Sequence, residues 1–149
     1  MANDFWADAE VISVYTRAQA ILDGVLVPAL DLTPDEPNFA REAGFNCHVA
    51  LTATVAAIVR PTDREASECL QDVKGRLWDL LNMGRMYRPQ RVRDGDGGTW
   101  LFPCIFWLAG PERERWTKRK ASKTMRIKAA LHAGDDGEVV ATFMLPEED

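Results

Sequence analysis

The stretch from residue 62 to residue 87 constrains the fold of this chain most, because its apolar residues recur three and four positions apart. In a helix these residues form one stripe, which comprises Ala66, Cys69, Leu70, Val73, Leu77, Leu80, Leu81 and Gly84. Thr62 and Glu65 have the spacing of a capping box, and Pro89 favours an end to the helix. The sequence therefore predicts one long amphipathic helix over residues 62–87, with charged side chains such as Arg76 in water.

The C-terminal third predicts a sheet that covers the apolar stripe. Residues 99–108 form an apolar strand without clean alternation, which indicates burial on both faces, and Pro103 places the strand at an edge or a bulge. Residues 124–132 alternate between apolar and polar, and the turn at 134–137 folds the chain back onto 139–145. We therefore expect an α+β fold, with a mostly antiparallel sheet from the C-terminal third and helices packed on one face.

The first sixty residues predict shorter elements around an acidic loop. Residues 1–10 form a frayed acidic tail in this interpretation, and the N-terminal strands are candidates to join the sheet. The predicted elements are a strand at 11–15, a short helix opened by a Thr16–Gln19 capping box and stopped by Gly24, a strand at 25–27, an exposed loop at 28–37, a short helix at 39–43 closed by Gly44, and a helix at 49–59.

Length and composition indicate a single domain over residues 1–149. The longest apolar run, residues 100–109, is about half of the ~18 residues that a membrane span needs, and the N-terminus lacks the order of a signal peptide. Three cysteines without a paired spacing argue against a disulfide framework, so each is expected to be a small buried hydrophobe. We expect a cytoplasmic protein that has no membrane contact.

The net charge of −5 is distributed unevenly along the chain. Residues 85–128 contain twelve Lys or Arg and four Asp or Glu, a net of +8, whereas the remaining residues contain six and nineteen, a net of −13. A chain polarised in this way is expected to present one basic and one acidic surface, which steer partners by sign. The alternative is that these charges are solvated and pair with one another.

The segment 111–123, PERERWTKRKASK, is the most distinctive candidate for partner binding, and we call it the basic arm. Six Lys or Arg surround Trp116, and the segment is too long for a tight turn between the strands that it joins. Such cations and an aromatic ring suit nucleic acid, and they suit an acidic protein surface equally well. The alternative is a solvated loop with Trp116 folded onto the sheet. The candidate partner-binding residues are Arg88, Arg91, Arg93, Arg113, Arg115, Trp116, Lys118, Arg119, Lys120 and Lys123.

Catalytic and metal-binding patterns are weak in this sequence. Cys47 and His48 are adjacent, which suits a tetrahedral metal site poorly, and their spacing from the other Cys and His residues matches no zinc pattern. Asp135 and Asp136 lie in a Gly-Asp-Asp-Gly segment and are expected to form a turn rather than perform acid–base chemistry. We therefore expect no cofactor, no metal and no catalytic residue.

Four blocks of the sequence together resemble a family of small bacterial and archaeal proteins. They are VISVYTRAQAILDGVLV at 11–27, AREAGF at 40–45 followed by VALT at 49–52, GRLWDLL at 75–81, and GDDGEVVATFMLPEED at 134–149. Members of this family are often encoded on plasmids, phages and other mobile elements, and no activity is established for them. The chain differs from the family pattern in a longer loop at 28–39 and in residues 99–123.

The uneven charge and the absence of a catalytic constellation lead to the hypothesis of a non-enzymatic binding protein that engages a host protein or a nucleoprotein complex. The resemblance implies a mobile-element origin, which favours this hypothesis. Small acidic proteins from such elements include inhibitors of CRISPR and restriction defence, some of which imitate the charge of nucleic acid. A second hypothesis is an accessory protein that binds nucleic acid through residues 85–128. A third is a small enzyme, which would need a pocket that gathers residues from the family-like blocks, namely Tyr15, Arg17, Arg41, Glu42 and Trp78.

Overall fold

The computed structural model describes residues 15–89, 98–108 and 121–148. Its helices are α1 (Arg17–Leu22), α2 (Ala29–Leu32), α3 (Phe39–Glu42), α4 (Ala53–Val59), α5 (Asp63–Glu68) and α6 (Val73–Met86). Its strands are β1 (Leu26–Pro28), β2 (His48–Thr52), β3 (Thr99–Leu108), β4 (Ala121–Ala133) and β5 (Val139–Met144). In the described ranges, no helix has the length and apolar character that crossing a membrane requires.

The five described strands form one mixed sheet in the order β1-β2-β5-β4-β3. Strands β3, β4 and β5 form an antiparallel meander, in which Phe102 faces Ile127 and Ala129 faces Phe143. Strand β2 joins this meander parallel to β5, and β1 pairs antiparallel with β2. The expected α+β class is confirmed.

Three turn and cap predictions in the N-terminal half are confirmed. Thr16 and Gln19 form both hydrogen bonds of a capping box at the start of α1. Gly24 has a φ of +76° after this helix, and Gly44 has a φ of +102° after α3. A side chain is strained in this left-handed region, so glycine is suited to both positions. The loop predicted at 28–37 differs, because it contains the one-turn helix α2.

The helix predicted over 49–59 is wrong in its first half. Residues 48–52 form β2, and only Ala53–Val59 are helical. The change occurs at Thr52, whose hydroxyl accepts a hydrogen bond from the backbone N–H of Val55 and caps α4. An apolar run that is buried in a sheet does not differ in periodicity from one that is buried in a helix, so the pattern alone could not separate them.

The long helix predicted over 62–87 is also wrong, because the chain is interrupted between α5 and α6. The capping box of Thr62 and Glu65 is present, but α5 ends at Glu68. Leu70 then has a φ of +54° and is 81% exposed, although the predicted stripe included it. Asp72 begins a new helix, because its carboxylate accepts a hydrogen bond from the N–H of Gly75 at 2.6 Å.

The interruption places Arg76 in the interior, whereas the sequence predicted it in water. Its side chain is 2% exposed, and its guanidinium lies 3.3 Å from the carboxylate of Glu65. It also donates to the carbonyl oxygens of Ile58 at 2.8 Å and Trp107 at 2.5 Å. Arg76 therefore ties α4, α5, α6 and β3 together.

The core lies between one face of the sheet and helices α2, α3, α4 and α6. Strand β3 alternates between buried and exposed residues, so the expected burial on both of its faces is wrong. Pro103 lies, as predicted, on a strand with a single neighbour in the described sheet. The largest fully buried side chains are Phe102, Phe106, Phe143, Leu51, Leu77, Leu80, Leu81 and Ile127.

One helix lies on the other face of the sheet, which corrects the prediction that all helices pack on one face. Arg17 of α1 donates to the hydroxyl of Thr142, whose side chain points away from its buried neighbour Phe143 in β5.

Several other predictions fall outside the described ranges. They concern the tail at 1–10, most of the strand at 11–15, the glycine-rich turn at 94–98 before Gly98, and the basic arm before Ala121.

Candidate functional site

A cavity of about 650 Å³ lies where α1 crosses the sheet face opposite the core, which we call the outer face. The outer face carries alternate residues of the strands, among them His48, Ala50, Lys128, Ala130, His132, Val140, Thr142 and Met144. The floor of the cavity is formed by Ala130, Thr142 and Met144, and its wall by residues of α1 and β1. Its size and largely apolar lining are typical of small-molecule sites.

Arg17 organises the polar end of this cavity. Its guanidinium donates to the hydroxyl of Thr142 at 2.7 Å and to the carbonyl oxygen of Ala141 at 3.0 Å. It also lies 3.3 Å from Nδ1 of His48, and Nε2 of His132 lies 2.8 Å from the same Thr142 hydroxyl. Strands β2, β4 and β5 thus each place one polar side chain around one cation.

The hydrogen-bond chemistry assigns protons in this cluster. A guanidinium only donates, so Nδ1 of His48 accepts and this imidazole is neutral. Burial and then the neighbouring Arg17 charge lower the pKa of His48, which agrees with the neutral form. Burial also lowers the pKa of Arg17.

Asp135 holds α1 against the sheet. Its carboxylate accepts hydrogen bonds from the backbone N–H groups of Arg17 at 2.8 Å and Ala18 at 3.0 Å. These two bonds lower the pKa of Asp135. The sequence predicted a turn-forming role, and the structure adds an anchoring role: the β4–β5 turn binds the first turn of a helix that lies more than 100 residues earlier.

The opposite end of the cavity is closed by the C-terminal turn. The ammonium group of Lys128 donates to the carbonyl oxygens of Pro146 and Glu148. The carboxylate of Glu148 accepts from the hydroxyls of Thr52 at 2.8 Å and Thr54 at 3.0 Å. Lys128 therefore fastens the end of the chain to the sheet.

A row of exposed apolar side chains continues the outer face along β3, and we call it the apolar row. It consists of Leu101, Ile105 and Trp107, which are 43%, 55% and 41% exposed. Strand β4 places Thr124 opposite Ile105 and the exposed Arg126 opposite Pro103. Large exposed apolar residues that share one strand face mark an interaction site more often than isolated ones do.

The structure separates the five residues that a small enzyme was expected to gather in one pocket. Tyr15 and Arg17 line the cavity, but Arg41, Glu42 and Trp78 do not. Arg41 and Glu42 are exposed on α3, and Trp78 of α6 packs edge-to-face on Phe39 with ring centroids 5.7 Å apart. That version of the enzyme hypothesis is therefore wrong.

The described residues contain no group of three or more His, Cys, Asp or Glu that could hold a metal ion. Cys104 is buried, as expected, and burial raises the pKa of its thiol to about 12, whereas Cys47 and Cys69 are partly exposed. A thiol of that pKa stays protonated and is a poor nucleophile.

Two of the predicted partner-binding residues lie in the described ranges, and both Arg88 and Lys123 are exposed. The other eight lie outside those ranges. The sequence did not identify Thr142 and His132 as members of the site. The alternation of residues 124–132 already put Ala130 and His132 on one strand face, but nothing in the sequence paired that face with Arg17.

Comparisons with protein-family models, with curated proteins and with solved structures found no match for this chain.

Proposed function

We propose that this protein is a non-enzymatic binding protein of mobile-element origin that engages a host protein or nucleoprotein complex. The observation that supports this proposal is the apolar row, which lies on an edge strand beside the exposed Arg126. Inhibition of a host defence complex is the most specific form of this function. The partner in this proposal is a protein segment that presents apolar side chains among acidic ones.

The charge around the apolar row supports an acidic partner. Arg126 is exposed beside the row on β4, whereas Lys123 pairs with the buried Phe106 and lies on the other face of the sheet. Strand β3 ends one residue after Trp107, and most of the basic arm lies between β3 and β4 in the sequence. An apolar centre with a cationic rim is complementary to an acidic surface and accelerates association with it.

Pro103 favours contact through side chains over pairing with an added strand. A proline in an edge strand has no N–H and is tolerated where that position faces solvent. It therefore interrupts the row of donors that a partner strand would need along β3. We infer that the partner contacts the outer face of β3 rather than its free edge.

Site-specific crosslinking tests this proposal. A photoreactive phenylalanine analogue at Ile105 is used to capture partners from host lysate, and the same analogue at Leu22, which is 86% exposed on α1, is the matched control. The captured protein is then purified and its affinity is measured for wild type, Trp107→Asp and Leu22→Asp. We expect Trp107→Asp to weaken binding about 30-fold or more, the scale of an aromatic hot spot, and Leu22→Asp to leave it unchanged.

Three results would contradict the proposal. The first is equal capture from positions 105 and 22, and the second is equal affinity for both aspartate variants. The third is capture that disappears after nuclease treatment and gives way to direct binding of nucleic acid that falls steeply with salt. This last result would favour the accessory nucleic-acid-binding function.

A further inference from the structure

The cavity under α1 contains a cation, Arg17, that forms no contact ion pair among the described residues, although Asp135 and Glu138 attract it at longer range. In the described ranges, no Asp or Glu oxygen lies within 4.0 Å of the Arg17 guanidinium. The carboxylate that lines the same cavity, Asp135, already accepts two backbone N–H groups. Arg17 is partly buried, so water screens its charge less than at an open surface.

The hydrogen bonds of Arg17 go to neutral acceptors. These are the hydroxyl of Thr142, the carbonyl oxygen of Ala141 and the imidazole of His48. Its Nε is buried and has no acceptor among the described residues. Buried charges are normally paired with an opposite charge, so this end of the cavity favours an anionic ligand group beside Arg17.

The rest of the cavity suits a compact apolar group. Leu26, Ala130 and Met144 supply apolar surface, and Lys128 at the far end is occupied by the C-terminal turn. His132 and Lys128 are four residues apart on β4, which corresponds to about 13 Å at the rise of a strand. A ligand with a charged head and a short apolar body has the matching length.

We propose that this cavity binds a small organic anion, with a carboxylate or phosphate group beside Arg17 and a short apolar body over Ala130 and Met144. Arg17 recognises the charge, and the Thr142 hydroxyl and the His48 imidazole hold the guanidinium in place. The absence of large side chains at Ala20 and Ala130 leaves the space for the apolar body. This site is separate from the apolar row, and its test does not depend on the partner proposed above.

NMR titration of the ¹⁵N-labelled full chain tests the proposal with three probes. Hexanoate and phenyl phosphate represent the two sources of negative charge, and hexanol is the uncharged counterpart of hexanoate. We expect at least one anion to bind saturably, with the largest amide shifts at Ala130 and Thr142. Hexanol is expected to bind at least about tenfold more weakly than hexanoate, because it lacks the charge-assisted hydrogen bond.

Two variants separate charge recognition from cavity shape. Arg17→Gln is expected to weaken anion binding about tenfold or more, whereas Arg41→Gln removes the same charge from exposed α3 and leaves the affinity unchanged. Ala130→Met fills the cavity without altering any charge and is expected to abolish binding of both anions. Because Arg17 also holds α1, Ala130→Met decides the question if Arg17→Gln does not fold.

The proposal is overturned if neither anion binds saturably below about 10 mM, a free energy weaker than ~3 kcal/mol. It is also overturned if hexanol binds as tightly as hexanoate, or if folded Arg17→Gln or Ala130→Met retains wild-type affinity. Tighter binding of phenyl phosphate than of hexanoate would identify a phosphate ligand, and the reverse order would identify a carboxylate.

Discussion

Replacing Arg76 with methionine should destabilise this protein more than any other loss of a single ion pair that the structure describes. Arg76 and Glu65 lie 3.3 Å apart, and their side chains are only 2% and 8% exposed. Methionine fills much of the same space, but it removes the ion pair between the Glu65 carboxylate and Arg76. It also removes the donor to the carbonyl oxygens of Ile58 and Trp107.

The expected loss in the free energy of unfolding is about 3–5 kcal/mol, the range for breaking one side of a buried pair. With a urea m-value of about 2 kcal/mol/M for a domain of this size, the denaturation midpoint should fall by about 1.5–2.5 M. Urea denaturation followed by circular dichroism measures this shift.

The matched control is Arg64→Met, because Arg64 contacts Glu68 at 3.5 Å in a pair whose side chains are about one third exposed. Loss of a pair of that kind is expected to change stability by less than about 1 kcal/mol. In a second step, Glu65→Gln is added to Arg76→Met. The amide removes the buried charge and still accepts from the N–H of Thr62, so the double variant should be more stable than Arg76→Met alone.

Equal losses in the free energy of unfolding for Arg76→Met and Arg64→Met would contradict this prediction. A further loss of stability when Glu65→Gln is added to Arg76→Met would also contradict it, because the buried charge would then not be the source of the loss.

Two further predictions concern a histidine and a pair of glycines. The pKa of His48 is lowered in the folded protein, so the unfolded chain binds more protons than the folded protein below about pH 6.5. The contribution of His48 to stability should therefore be fully present above that pH and be lost as the pH falls through the pKa of the folded protein. The decline in stability should stay below about 1 kcal/mol, since the His48 ring is partly exposed. Urea denaturation should show a weaker pH dependence for His48→Asn than for wild type, and identical pH profiles of the two proteins would contradict the prediction. Gly24→Ala should cost about 1–2 kcal/mol, because its φ of +76° is strained for a side chain although the space beside it is open. Gly98→Ala has a similar φ of +71° and should cost clearly more, because its new Cβ would lie 2.7 Å from the carbonyl oxygen of Leu131; equal melting temperatures for the two variants would disprove this difference.

Local signals in the sequence were sufficient for much of the fold. The capping boxes at Thr16 and Thr62, and the left-handed glycines 24 and 44, depend on residues within a few positions of one another. The alternation in residues 124–132 and the turn that follows it determined the β4–β5 hairpin for the same reason. These predictions succeeded because the stabilising contacts join residues that are close together in the sequence.

Only the tertiary structure decided the features whose partners are distant in the chain. The apolar stripe over 62–87 continued through Leu70, but the buried pairing of Arg76 with Glu65 requires that α5 and α6 be separate. The guanidinium of Arg17 meets the hydroxyl of Thr142 across 125 positions. Periodicity reports which face of an element is apolar, but it does not report which other element covers that face, so the cavity and its cation became visible only when the strands were placed side by side.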